Sequence, residues 1–179
     1  MFMPRRPTLL CIGIVSLPGP PALAQPGPGL GIEATPEQIA AWDISIGPDG
    51  SGLPPGSGTA DAGAAVYAAK CVACHGAEGA GQPNDRLVGG QDTMDEPNPV
   101  RTIGSYWPYA TTVFDYVRRA MPYLQPHSLT DEEAYALTAY LLHLNGIIGA
   151  EEVMNARTLP EVVMPNRDNF VSAYPEGSE

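Results

Sequence analysis

The stretch KCVACHG, residues 70–76, sets Cys71, Cys74 and His75 in a C-x-x-C-H array. Two thiols three positions apart can add to the two vinyl groups of one porphyrin, and the residue behind the second is then held beneath the iron. The spacing therefore reads as covalent attachment of one haem c through Cys71 and Cys74, with His75 as the proximal ligand. Three other uses of the pattern fit less well. A thioredoxin-type pair needs a strand, a turn and a helix around it and has no use for the following histidine. A zinc site needs four ligands, and outside this cluster the chain offers only His127 and His143 as nitrogen donors, both distant in sequence. A disulfide between Cys71 and Cys74 would close a short, strained loop.

The N-terminus supplies a compartment that suits such a cofactor. Arg5 and Arg6 precede an apolar run from Leu9 to Leu17, and Ala22-Leu23-Ala24 stands before Gln25. That order is expected of a secretory signal peptide over residues 1–24, hence a periplasmic protein. The run is too short to span a bilayer, so no membrane insertion of the mature chain is expected. Cys11 lies inside the run, behind bulky Leu10, which argues against a lipid anchor there, and it would leave with the leader.

Lys plus Arg number 9 against 20 Asp plus Glu, a net charge of -11. Such a chain repels nucleic-acid phosphates and anionic membranes, and favours partners with basic patches. With the leader gone, about 155 residues remain, which suits one domain.

Residues 25–59 are rich in Gly and Pro, and the ordered exception is TPEQIAAWDI, with Thr35 as N-cap, Pro36 at the first helical position and Gln38 closing a capping box. This segment reads as a wrap over the core anchored by Trp42 and Ile44. One helix is expected through DAGAAVYAAKCVAC, where Gly63, Val66, Tyr67, Lys70, Cys71 and Cys74 share a face, ending at Gly76. Residues 76–110 show no strand pattern and read as a long loop, for which wrapping a porphyrin is a reason. A short helix, TTVFDYVRRA, turns Phe114 and Val117 inward and stops at Pro122. The last helix, TDEEAYALTAYLLHLNG, opens on a Thr130–Glu133 capping box and ends at Asn145-Gly146; both of its faces are apolar. Beyond it lies a β-prone piece, EVVMP, in a segment expected to lie on the core.

A second axial ligand would make the haem an electron carrier. The candidates are Met94, Met121, Met154, Met164, His127 and His143. Met121 stands where Pro122 has just stopped a helix, so its thioether can swing over the ring. Met164 also precedes a proline and is the main rival, while core filling is the ordinary role of a methionine.

With CVACH closing the first core helix, Met121-Pro122 after the loop and a final helix behind them, residues 60–146 resemble a class I cytochrome c. The resemblance implies an all-α fold in which Gly63 lets Tyr140 pack across the first helix, beside Tyr67. It also divides the chain into a wrap at 25–59, a cytochrome c domain at 60–146 and a C-terminal extension at 147–179. The stretches TIGSYWPYATTVFDYVRRAMP and LTDEEAYALTAYLLHLNGII, with MPNRDNF and GPDGSGLPPGSG, are similar to the cytochrome subunits of periplasmic sulfite and sulfane-sulfur dehydrogenases, the SoxD-like kind. In those, the cytochrome takes electrons from a molybdenum subunit. This chain has one C-x-x-C-H and so departs from the dihaem members.

The expectation is a monohaem electron-transfer protein rather than an enzyme, with Cys71, Cys74, His75 and Met121 holding the haem. Its donor would be a molybdenum-containing dehydrogenase subunit, and its acceptor a downstream cytochrome or terminal oxidase. Two alternatives remain: another periplasmic donor, such as an alcohol dehydrogenase, or an open-site haem enzyme or gas sensor. Trp107, Tyr106 and Tyr109 would line the pocket, or serve as loop anchors.

Overall fold

The computed structural model describes residues 29–171 and 173–174; the expected signal peptide, residues 1–24, lies outside them. Among the described residues the elements run α1 Pro36–Trp42, β1 Ser57–Thr59, α2 Ala60–Lys70, α3 Val72–His75, α4 Ala110–Ala120, α5 Asp131–Leu144 and β2 Val153–Asn155. One-turn 3-10 segments lie at Ala77–Gly79, Leu159–Glu161 and Arg167–Asn169. The fold is that of a class I cytochrome c, mostly helical with little strand. No described helix is long and apolar enough to cross a membrane.

Both capping boxes form. Thr35 takes the Gln38 N–H while the Gln38 side chain takes the Thr35 N–H, and Thr130 and Glu133 do the same at the start of α5. α5 is then buried on both faces, Tyr135, Leu142 and Ala139 on one side, Leu137 and Leu141 on the other. Phe114 of α4 meets Tyr135 with ring centroids 4.4 Å apart. Arg118 ties the end of α4 to Asp131 at 2.7 Å, and Arg119 bonds Asp115 one turn back.

α2 crosses α5 at Gly63, where any added Cβ would overlap the Ala136 carbonyl. The Tyr67 and Tyr140 rings pack beside this crossing, centroids 5.4 Å apart. The helix expected to run unbroken to Cys74 divides at Cys71, whose φ of -122° and ψ of -34° leave the helical region. Four residues of helix follow, and Gly76 ends them at φ 72°.

Two expectations about the flanks are corrected. Trp42 does not anchor the N-terminal segment, for its side chain is 87% exposed; Ile46 enters the core instead, with Ile44 half-buried. The reason is that α1 ends at Trp42, and the extended chain behind it is held by Arg119 to the Ile44 carbonyl and by Thr111 to the Pro48 carbonyl. The β-prone EVVMP is not a strand either. Val153–Asn155 pairs antiparallel with Ser57–Thr59, Gly58 opposite Met154, while EVVMP runs from a 3-10 turn at Leu159–Glu161, which holds Pro160, to a turn opening at Pro165. Ile148, Met154, Leu159 and Met164 of this segment are all buried in the common core.

Candidate haem site

The Cys71 break turns the C-x-x-C-H residues toward a cavity of about 400 Å³. Cys71, Cys74 and His75 line it from the end of α2 and from α3, and Met121, the C-cap of α4, reaches the same space. Most of the remaining wall is apolar, Leu87, Ile103, Trp107, Val117, Leu137 and Leu141 among it. The four side chains singled out for a haem thus share one cavity.

The rival donors do not share it. Met164 and Met154 are 1% and 2% exposed within the core, and Met94 lines a separate hollow beside Phe170. His127 is exposed, and His143 faces the Ile148 carbonyl at 3.3 Å. Among the described residues, Met121 is the one methionine and His75 the one histidine on the cavity wall.

The imidazole is oriented. His75 Nδ1 stands 2.8 Å from the Asp85 carbonyl oxygen, which can only accept, so the ring proton sits on Nδ1 and Nε2 keeps its lone pair. The backbone folds to allow it: Gly81 donates to the His75 carbonyl, and Asn84 donates to the Cys74 carbonyl, both at 2.8 Å. Tyr67 donates its hydroxyl to the Gly76 carbonyl at 2.9 Å, fixing the far end of the motif. Burial, together with the nearby Cys71, pushes that phenol up to about 12.

Burial likewise pushes the Cys71 thiol up to about 11, against the pull of Lys70. A redox-active C-x-x-C needs the opposite, a thiolate stabilised at neutral pH. The environment of Cys71 is that of a neutral thiol in an apolar wall.

The cavity fits a haem by the chemistry of its donors: two thiols a turn apart, one imidazole with Nε2 free, one thioether and an apolar lining. Its volume falls in the usual range for ligand pockets, roughly 300–1,000 Å³. Lys70, Arg86 and Arg101 stand on its wall with Asp85, and Lys70 is paired with Glu133, so Arg86 and Arg101 supply the positive charge on a chain of net charge -11.

Of the aromatic residues expected at the pocket, Trp107 lines it. Tyr106 packs edge-on against Phe170, and Arg167 lies 5.4 Å over the Tyr109 ring. Tyr116 lines the cavity too, its ring 5.6 Å from that of Trp107, and the sequence reading passed over it. A signal was present, since Val113, Tyr116 and Val117 recur at three and four residues. The Asp85 carbonyl carried no signal, because a backbone acceptor leaves no trace in residue type.

A family model for cytochrome c matches residues 60–145. A thiosulfate dehydrogenase of Psychrobacter arcticus is 32% identical over 112 residues, 56% of this chain and 32% of that protein, so the chain spans about a third of its length. Among solved structures, the sulfane dehydrogenase SoxCD from Paracoccus pantotrophus is similar at 45% identity and a TM-score of 0.75, over 83% of this chain and 72% of that one. The domain match, the extent of the SoxCD match and the cavity with its C-x-x-C-H wall agree: the chain belongs to the cytochrome c family.

Proposed function

We propose that this chain is a periplasmic electron-transfer subunit carrying one haem c, attached through Cys71 and Cys74 and ligated by His75 and Met121. The observation that carries the reading is the meeting of these four side chains on one apolar cavity, with the His75 ring held by the Asp85 carbonyl. When bound, the haem supplies a one-electron couple whose potential a thioether ligand raises. The chain's own residues do the rest. Asp85 fixes the imidazole tautomer, and the hydrogen bond raises its basicity as a donor. The apolar part of the wall would limit water beside a bound haem, and Arg86 and Arg101, on the same wall, would be available to offset its carboxylates.

The donor is a molybdenum-containing sulfite or sulfane-sulfur dehydrogenase subunit, and the acceptor a downstream cytochrome or terminal oxidase. Similarity to SoxCD over most of both chains supports that donor class, and the thiosulfate dehydrogenase relative keeps it within sulfur oxidation. Stopped-flow reduction of the oxidised protein by a sulfite or sulfane-sulfur dehydrogenase and its substrate tests this. Rapid reduction is expected, slowing as salt shortens the Debye length below roughly 10 Å. Reduction by an alcohol dehydrogenase instead would replace the donor while leaving the carrier reading intact.

A further inference from the structure

The Asp85 carbonyl belongs to a loop, and something must hold that loop still. Locally, Asn84 donates to the Cys74 carbonyl and Leu87 to the Gly79 carbonyl. The first of these reaches the end of α3, and from the segment before α4 Thr102 Oγ1 donates to the Gly89 carbonyl and Ile103 N to the Leu87 carbonyl. The loop's tie to α5 comes from the side chain of Asn145, the C-cap of that helix, which is 8% exposed.

The Asn145 amide is fully used. Its Oδ1 accepts the Gly89 N–H at 3.0 Å; its Nδ2 donates to the Leu87 carbonyl at 3.2 Å and to the Leu141 carbonyl at 2.8 Å. Its own backbone carbonyl takes a bond from Gln91 Nε2 at 3.1 Å. Leu87 and Gly89 lie two and four residues beyond Asp85, and Leu87 also lines the cavity and accepts from Ile103 N at 3.3 Å. Gly104 closes over the amide so tightly that an added Cβ would overlap Asn145 Oδ1 and stand 2.7 Å from Gln91 Nε2. No smaller polar side chain could bridge two loop positions and a helix carbonyl at once, and no aliphatic one could satisfy the three backbone groups.

We propose that Asn145 is a positioning residue for the axial histidine: by pinning Leu87 and Gly89 to the end of α5 it fixes the Asp85 carbonyl, and through it the ring of His75. This rests on the reading of His75 as haem ligand. Its consequence is that a residue of the last helix sets the donor strength of a ligand at the end of the first. A carbonyl free to drift would weaken the Nδ1–H bond, make the imidazole a poorer donor and raise the potential.

The test is hydrogen exchange of the His75 Nδ1–H in the reduced holoprotein, followed by NMR beside the amide of Leu142, a fully buried residue of α5. Asn145→Ala removes the clamp, and Gly104→Ala pushes it aside while leaving Asn145 in the sequence. Gln91→Ala, at an exposed position, removes only the outer bond and keeps the test open should both buried variants misfold. Exchange of Nδ1–H on the order of tenfold faster in Asn145→Ala and Gly104→Ala, less in Gln91→Ala, with the Leu142 amide changed less and the potential shifted upward, is expected. Nδ1–H exchange that stays at the unmodified rate, or rises only in step with the Leu142 amide, would overturn the proposal, since Asn145 would then serve stability alone. A visible spectrum unaltered by His75→Ala is a separate outcome, which removes His75 as ligand and the proposal with it.

Discussion

Gly63 of α2 lies so close to Tyr140 of α5 that a methyl group on Gly63 would stand 2.6 Å from the Tyr140 Cβ. The crossing is therefore set by the absence of a side chain. Gly63→Ala is expected to destabilise the protein by about 2 kcal/mol, since overpacking a close contact typically costs 1–3 kcal/mol. Gly149→Ala, where the nearest atom is the flexible end of Glu152 at 3.4 Å, should change little. Thermal unfolding of the two holoproteins checks this, and equal midpoints would mean that α2 and α5 can separate without loss.

Lys70 and Glu133 join the same two helices at 2.6 Å. The Lys70 hydrogen bond, followed by that of the Thr130 backbone, holds the Glu133 carboxyl below its ordinary value of 4.5. A depressed carboxyl stabilises the fold fully above pH 4.5, and that contribution fades as the pH falls below it. Glu133→Gln keeps the capping box but loses the charge, so it should lower stability at pH 7 by about 0.5 kcal/mol, the scale of a partly exposed pair. The difference should vanish at low pH, as denaturant titrations at pH 7 and pH 3 would show.

Tyr135 is wholly buried, and its hydroxyl donates to the Pro54 carbonyl at 2.9 Å. Burial pushes its phenol up to about 12, so the bond persists throughout the neutral range. Tyr135→Phe should cost about 1 kcal/mol. The loss should appear first as faster proteolysis within residues 47–56, because this bond ties that Gly- and Pro-rich stretch to α5.

The helices legible in the sequence are those that carry their own punctuation. Thr35 with Gln38, Thr130 with Glu133 and the Pro122 stop each act within a few residues, so α1, α4 and α5 stand close to where spacing places them. What the sequence hid depends on distant partners. The three-residue strands around Gly58 and Met154 are too short to show alternation and exist only because each pairs with the other. Trp42 outranks Ile46 as an anchor by size alone, yet only the path of the chain after α1 decides which reaches the core. At the cavity, the meeting of Cys71, Cys74, His75 and Met121 was legible from the C-x-x-C-H spacing and from the proline that ends the turn at Met121. Asn145 reads as a helix stop, which it is, while its bonds to Leu87 and Gly89 span nearly 60 residues and have no local pattern.

Single replacement of Cys71 or Cys74 by Ser should leave haem held by one thioether or lost. A denaturing gel stained for haem reads this directly. Replacing both should abolish the stain, and a double variant that keeps covalent haem would show that attachment lies elsewhere.

The visible spectrum of Met121→Ala beside Met164→Ala tests the central claim most directly. Met121 lines the cavity, whereas Met164 is 1% exposed in the core away from it. Met121→Ala should lose the low-spin spectrum, bind carbon monoxide when reduced and fall in potential, because the soft thioether favours the ferrous state. Met164→Ala should keep the parent spectrum and refuse carbon monoxide, losing stability alone, about 2–5 kcal/mol as for other buried methionines cut to alanine. A Met121→Ala protein with the parent spectrum, or a Met164→Ala protein that binds carbon monoxide, would contradict ligation by Met121.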